Sequence, residues 1–136
     1  MADYTLSITT ERPYDATVAA VREQLAEAGF GVLTEIDLCA TFREKLGREF
    51  RPYVILGACN PPLAFAAVTA DPAVGLLLPC NVTVESITEG GTVVRLTDPE
   101  ALLSNAALTG TRELTTIARD ARERMLRVAE TLKRST

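Results

Sequence analysis

A chain of 136 residues that is 47% hydrophobic and 24% charged is long enough for one buried core and lies far from the composition of a disordered segment. Its net charge of -4 and its lack of histidine argue against a nucleic-acid binder and remove the Ser-His and Cys-His nucleophile pairs. Seven of the 14 basic residues fall between Arg112 and Arg134, but Glu113, Asp120, Glu123 and Glu130 are interspersed among them, so no phosphate-binding stripe results.

Tyr4 to Thr10 alternates apolar and polar residues and is rich in threonine, the pattern of a half-buried strand. Asp15 then reads as the N-cap of a helix whose buried face carries Val18, Val21, Leu25 and Ala28, with Gly29 ending it. Phe30 to Ile36 predicts a second strand, and Asp37 a cap for a short helix closing near Leu46 and Gly47. Tyr53 to Ala58 is apolar without alternation, as in a strand covered on both faces and placed centrally in a sheet.

Asn60-Pro61 is a helix start, because asparagine caps well and a proline at the first helical position gives up an N–H that has no partner there anyway. The spacing predicts a short buried helix over Leu63 to Thr69, an irregular segment over 73–79, and a strand beginning near Cys80. Glu89-Gly90-Gly91 separates that strand from Thr92 to Leu96 as a hairpin, and Asp98-Pro99 opens another short helix. Thr109-Gly110-Thr111 breaks the chain before a long amphipathic helix with a stripe of Leu114, Ile117, Ala118, Ala121, Met125, Val128 and Leu132. On its outer face Asp120-Arg124, Glu123-Arg127 and Glu130-Arg134 are spaced for i,i+4 pairs. The expected architecture is one α+β domain over residues 1–136, a mixed sheet packed by helices that include the long C-terminal one.

The beginning of the chain has neither a basic n-region nor an apolar h-region, which disfavours export. The longest apolar stretch, Tyr53 to Ala70, is interrupted by Asn60, Pro61 and Pro62, short of the roughly 20 residues of a spanning helix. Neither a membrane nor nucleic acid is therefore an expected partner. An odd count of three cysteines, at 39, 59 and 80, fits reduced thiols in a cytoplasm better than a disulfide framework.

Chemistry concentrates at a dipeptide that occurs twice, Cys59-Asn60 and Cys80-Asn81, each beside proline. Cys59 ends a strand and precedes a helix cap, where the helix dipole favours a thiolate; Pro61 and Pro62 remove N–H donors from that site, and the apolar flanks oppose it through burial. The plainer reading of Cys59 and Cys80 is that of small core residues, and of Asn60 and Asn81 that of caps or turns. If the two strand ends adjoin, the four residues form a cluster of soft and amide groups suited to a metal, a redox couple or a small molecule. Zinc has little support, because Cys-x-x-Cys is missing along with histidine. Glu35 and Asp37 could aim a carboxylate into a cleft beside Lys45; the plainer reading makes Asp37 a cap and Glu35 an ion-pair partner of Lys45 or Arg43. Gly57 reads as a place of close backbone approach, since no glycine-rich phosphate loop surrounds it.

The segments Gly57-Ala58-Cys59-Asn60-Pro61 and Leu78-Pro79-Cys80-Asn81-Val82 resemble the hallmarks of the DUF302 family, a domain of unknown function. The similarity extends to Gly29-Phe30-Gly31-Val32-Leu33-Thr34-Glu35-Ile36-Asp37 and to Glu44-Lys45-Leu46-Gly47, in the same order and spacing across nearly the whole chain. What the resemblance implies is a compact α+β domain, often a homodimer, with Glu35, Asp37, Lys45, Cys59, Asn60, Cys80 and Asn81 as candidate positions. It implies no settled activity, substrate or cofactor. Cys39 stands where the family pattern usually has a polar residue, often lysine, and is not a motif position.

Three readings follow. The first is a homodimeric module binding a small molecule or metal ion at a pocket built by both Cys-Asn turns, with Asp37, Cys59, Asn60, Cys80 and Asn81 as ligand contacts. The second is a thiol enzyme or redox protein using Cys59 with Cys80, and with Glu35 or Lys45 available for proton transfer. In the third, the turns only lock two strand ends.

Overall fold

Alternation in the first segment becomes strand β1 (Thr5–Thr10), with Ile8 and Thr10 buried and Ser7 and Thr9 exposed, in a computed structural model that describes residues 5–88, 90–104 and 111–134. Helix α1 (Tyr14–Glu27) follows, then β2 (Gly31–Asp37), α2 (Leu38–Leu46), β3 (Tyr53–Cys59) and α3 (Pro61–Ala70). A 3₁₀ turn over Pro72–Leu77 leads into β4 (Cys80–Ser86), β5 (Thr92–Thr97), α4 (Pro99–Ser104) and α5 (Thr111–Arg134). Tyr4, Glu89 and the Thr109-Gly110 break lie outside the described residues.

The five strands form one sheet in the order β1-β5-β4-β3-β2, and every neighbouring pair is antiparallel. The α+β class is as expected, but the sheet is antiparallel where a mixed one was anticipated. The reason is that α2, α3 with the 3₁₀ turn, and the β4–β5 hairpin each reverse the chain at an end of the sheet. Only the connection through α1 crosses it, and that one joins the two edge strands. β3 is flanked by β4 and β2, so it is an interior strand, one place from the edge.

Alternate residues on the strands meet α1 and α5. Ile8, Val54, Leu56, Val82, Val84, Val94 and Leu96 are buried with Val21 and Leu25 of α1 and with Met125, Val128 and Leu132 of α5. Each such side chain contributes about 1.5–3 kcal/mol through its removal from water. The α5 stripe is buried as its spacing predicts, apart from Ile117, which is half-buried. On the opposite face, Glu85 is buried because Arg51 and Arg95 close over it at 2.5 and 2.6 Å. Burial alone would raise the pKa of this carboxyl, but the hydrogen bonds and charges of Arg95 and Arg51 outweigh that and hold it below its ordinary value. A second, smaller core joins Ala67, Val74 and Leu114 where α3, the 3₁₀ turn and α5 meet.

Local signals explain most element ends. Asp37 accepts from the Ala40 N–H at 2.9 Å, Gly47 closes α2 with φ 64°, and Asp98 accepts from the Glu100 and Ala101 N–H groups. α1 is the exception: its N-cap is Pro13, with no side-chain cap, and Asp15 sits inside the first turn, where its charge suits the helix dipole. Thr17 reinforces that start by donating its hydroxyl to the Pro13 carbonyl at 2.9 Å.

Of the three i,i+4 pairs expected on α5, Asp120–Arg124 is formed at 2.9 Å. Two further α5 arginines reach across to another element: Arg122 binds the buried Asp98 at 2.9 Å, and Arg119 binds Glu100. None of the described helices is long and apolar enough to cross a membrane.

Helix α3 departs most from expectation. Its apolar composition reads as buried, yet only Ala67 is fully so, while Phe65 is 77% exposed and Leu76 of the following 3₁₀ turn 89%. A helix at the end of a sheet has too few neighbours to cover its whole circumference.

Candidate functional site

The register of β3 and β4 brings the two Cys-Asn dipeptides together. Ala58 pairs with Cys80 and Gly57 with Asn81, so the end of β3 and the start of β4 lie side by side. Gly57 permits this closeness: a Cβ there would stand 2.1 Å from Thr34 Oγ1 and 2.7 Å from Pro79 Cγ. Thr34 and Pro79 thus cover β3 where any side chain would push them away.

Cys59, Cys80 and Asn60 all line a cavity of about 50 Å³, whose other walls are apolar and include Ala67, Val74 and Ile117. It lies between the main core, against which Cys80 packs, and the smaller one under α3. All three cysteines are free and half-buried. Burial, and secondarily the neighbouring Cys59, pushes the Cys80 thiol up to about 11, so at neutral pH it is a protonated, weakly donating wall of the cavity.

The two asparagines diverge. Asn60 is buried, and its Oδ1 accepts from the Leu63 N–H at 3.1 Å, which makes it the cap of α3. Its amide nitrogen lies 3.0 Å from where a Cβ of Gly29 would be, and Gly29 has φ +89°. The end of α1 therefore abuts the site, held there by Arg124, which donates to the Ala28 carbonyl at 2.9 Å. Asn81 is exposed; strand alternation turns it away from Cys80, and its backbone carbonyl accepts from Thr97 Oγ1 at 2.8 Å. The cavity is thus built by three of the four Cys-Asn residues, with Asn81 outside it.

The carboxylates and Lys45 also lie elsewhere. Asp37 pairs in register with Val54, at the opposite end of β3 from Cys59, and serves as the α2 cap. Glu35 forms its ion pair with Arg22 of α1, in place of Lys45 or Arg43, because its strand position faces that helix. Arg43 turns to Glu49, and Lys45 is exposed on α2.

A different group surrounds Asp37. Tyr14, at the start of α1, has its phenol raised to about 12 by burial and by the nearby Asp37, Asp15 and Cys39, while Cys39 donates its S–H to the Phe50 carbonyl at 3.1 Å. Sequence reading missed this grouping, the close approach of Gly29 to Asn60 and the place of Ile117 in the cavity wall. Their residue types read as a helix start, a helix stop and one position in an apolar stripe. Among the described residues, no group of three or more His, Cys, Asp or Glu side chains is placed to hold a metal ion.

Comparison with known proteins agrees with this geometry. The family model for the domain of unknown function DUF302 matches residues 6–132. The chain belongs to the DUF302 family. The crystal structure of an uncharacterized conserved DUF302 protein from Bacillus stearothermophilus is similar to it, with a TM-score of 0.79 and 28% sequence identity over 93% of this chain and 96% of that one. A search of curated proteins finds no match.

Proposed function

We propose that this DUF302 domain is a binding module for a small, mainly apolar molecule, seated at the cavity against Cys59, Cys80 and Asn60. The observation that carries the reading is the meeting of two thiols and a buried amide at an apolar cavity between two cores. Such a setting suits orientation of a ligand by a few polar groups within apolar walls. The scarcity of clustered hard or charged donors favours the small molecule over a metal ion. The module works as a homodimer in a reducing, cytoplasmic setting: β2 presents an open sheet edge with Leu33 and Ile36 exposed, and the three cysteines are free.

The test is a thermal-shift screen of apolar metabolites on wild type, on an Ala67→Leu variant that fills the cavity, and on a Cys59→Ser, Cys80→Ser double variant. Binding raises the wild-type melting temperature and leaves Ala67→Leu unmoved. Equal responses from all three proteins overturn the reading. Light scattering checks the dimer.

The second reading, a thiol-dependent reaction at Cys59 with Cys80 beside it, draws support from the two cysteines lining one cavity. It requires that iodoacetamide alkylate Cys59 faster in the folded protein at pH 7 than in urea. Slower alkylation removes it.

A further inference from the structure

The Asn60 side chain uses only part of its hydrogen-bonding capacity. Its Oδ1 accepts from the Leu63 N–H at 3.1 Å, which fixes the amide with Nδ2 on the other side. The residue is 8% exposed, yet Nδ2 has no acceptor among the described residues. Nor is it sealed into packing: among the described side-chain atoms, Thr83 Oγ1 is the one that is both fully covered and unpaired. A buried amide N–H is costly to leave without a partner, and this one belongs to a residue of the cavity wall. Around it the described lining carries no charge and no other side-chain oxygen or nitrogen, while Cys59 and Cys80 add only weak S–H donors. The wall thus offers one strong donor and no free strong acceptor. Its volume of about 50 Å³ has room for about four water-sized units.

We infer that the ligand is a neutral, short-chain carbonyl compound of about four non-hydrogen atoms or fewer, whose oxygen accepts from Asn60 Nδ2. The inference rests on the binding reading above and adds to it a ligand class and the residue that orients it. Each part has its own ground. The free donor calls for an acceptor, and the uncharged wall excludes a carboxylate or an ammonium group, which would be buried without a counter-charge. A water or an alcohol brings an O–H that the described side chains leave without a strong acceptor, whereas a ketone or an aldehyde brings none. The apolar walls take the alkyl part. Asn60 then has two tasks: Oδ1 starts α3 and Nδ2 holds the ligand, so the cap sets the direction of the donor.

Acetone, isobutene and acetate share one branched skeleton of the same size and differ in the acceptor and the charge. Titrated into the full isotope-labelled chain and followed by NMR, they test the inference. Acetone is expected to shift the Asn60 side-chain amide protons, isobutene to shift the cavity methyls of Ala67 and Ala118 alone, and acetate not to bind. Asn60→Asp keeps an oxygen for the Leu63 N–H, so α3 stays capped, and loses the amide donor. It should weaken acetone on the order of tenfold, as the loss of one hydrogen bond would produce, and change isobutene by less than about twofold. Should this variant not fold, the wild-type amide shifts decide alone. If acetone leaves the Asn60 protons unmoved, or Asn60→Asp weakens acetone and isobutene alike, or acetate binds as acetone does, the inference falls and the cavity reading stands. If no probe moves the Ala67 and Ala118 methyl signals, both fall.

Discussion

The two Cys-Asn turns share a dipeptide and a neighbouring proline, yet the fold treats them differently. At the first, the chain leaves β3 for a helix, so the asparagine turns inward as a buried cap beside Gly29. At the second, the chain is already in β4, and alternation sends Cys80 to the core and Asn81 to solvent. Identical residues thus take their roles from the element that follows them. A motif repeated in sequence need not be a motif repeated in space.

Breaking the closeness of the turns should have the largest effect. Gly57→Ala puts a methyl group into Thr34 and Pro79, and a loss of about 3 kcal/mol in urea unfolding is expected. A variant as stable as wild type would show that Pro79 moves aside freely. The cysteines offer a chemical contrast. Burial raises the Cys80 thiol, with Cys59 adding to it, so in a Cys59→Ser variant burial alone keeps Cys80 above its ordinary value. Its iodoacetamide rate at pH 8 should therefore lie well below that of an unperturbed thiol and climb through pH 10. A plateau near pH 9 would contradict the burial.

The asparagines sharpen the same contrast at a smaller scale. Asn60→Ala removes a helix cap and should cost about 1–2 kcal/mol, whereas Asn81→Ala should change stability by less than about 0.5 kcal/mol. Equal losses would mean that the turns are equivalent after all. The last contrast lies at the far end of β4. Glu85 has its carboxyl pKa depressed in the folded state, so its contribution is present above the unfolded value near 4.3 and lost as pH falls through the lower folded one. Glu85→Gln should cost about 1 kcal/mol at pH 7 and flatten the acid limb of the stability curve. An unchanged acid limb would place the acid sensitivity elsewhere.

Much of the fold was legible because its signals are local. Asp37, Asn60 and Asp98 each cap the helix that follows them, Gly47 ends α2, and the α5 stripe is a period read over many turns. What was not legible depends on partners far along the chain. Glu35 finds Arg22 because β2 is the edge strand beside α1, which no spacing reveals. α3 is exposed because of where it sits, although its composition resembles that of a buried helix. At the candidate site, residue type pointed to both cysteines, but the register of β3 and β4 decided that they adjoin and that Asn81 does not join them. Ile117 looked like any other stripe residue until α3 was laid across it.

The strand order also has a consequence for synthesis. β1 is made first, yet its hydrogen-bonding partner is β5, with Thr5 opposite Thr97 and Thr10 opposite Thr92. While the ribosome extends the chain, β2, β3 and β4 can zip together in sequence as each emerges, whereas the earliest strand waits without a mate until the fifth is delivered. Closure of the domain is therefore a late, long-range event, and a chain stalled before Thr92 would present β1 as an unpaired template for other molecules.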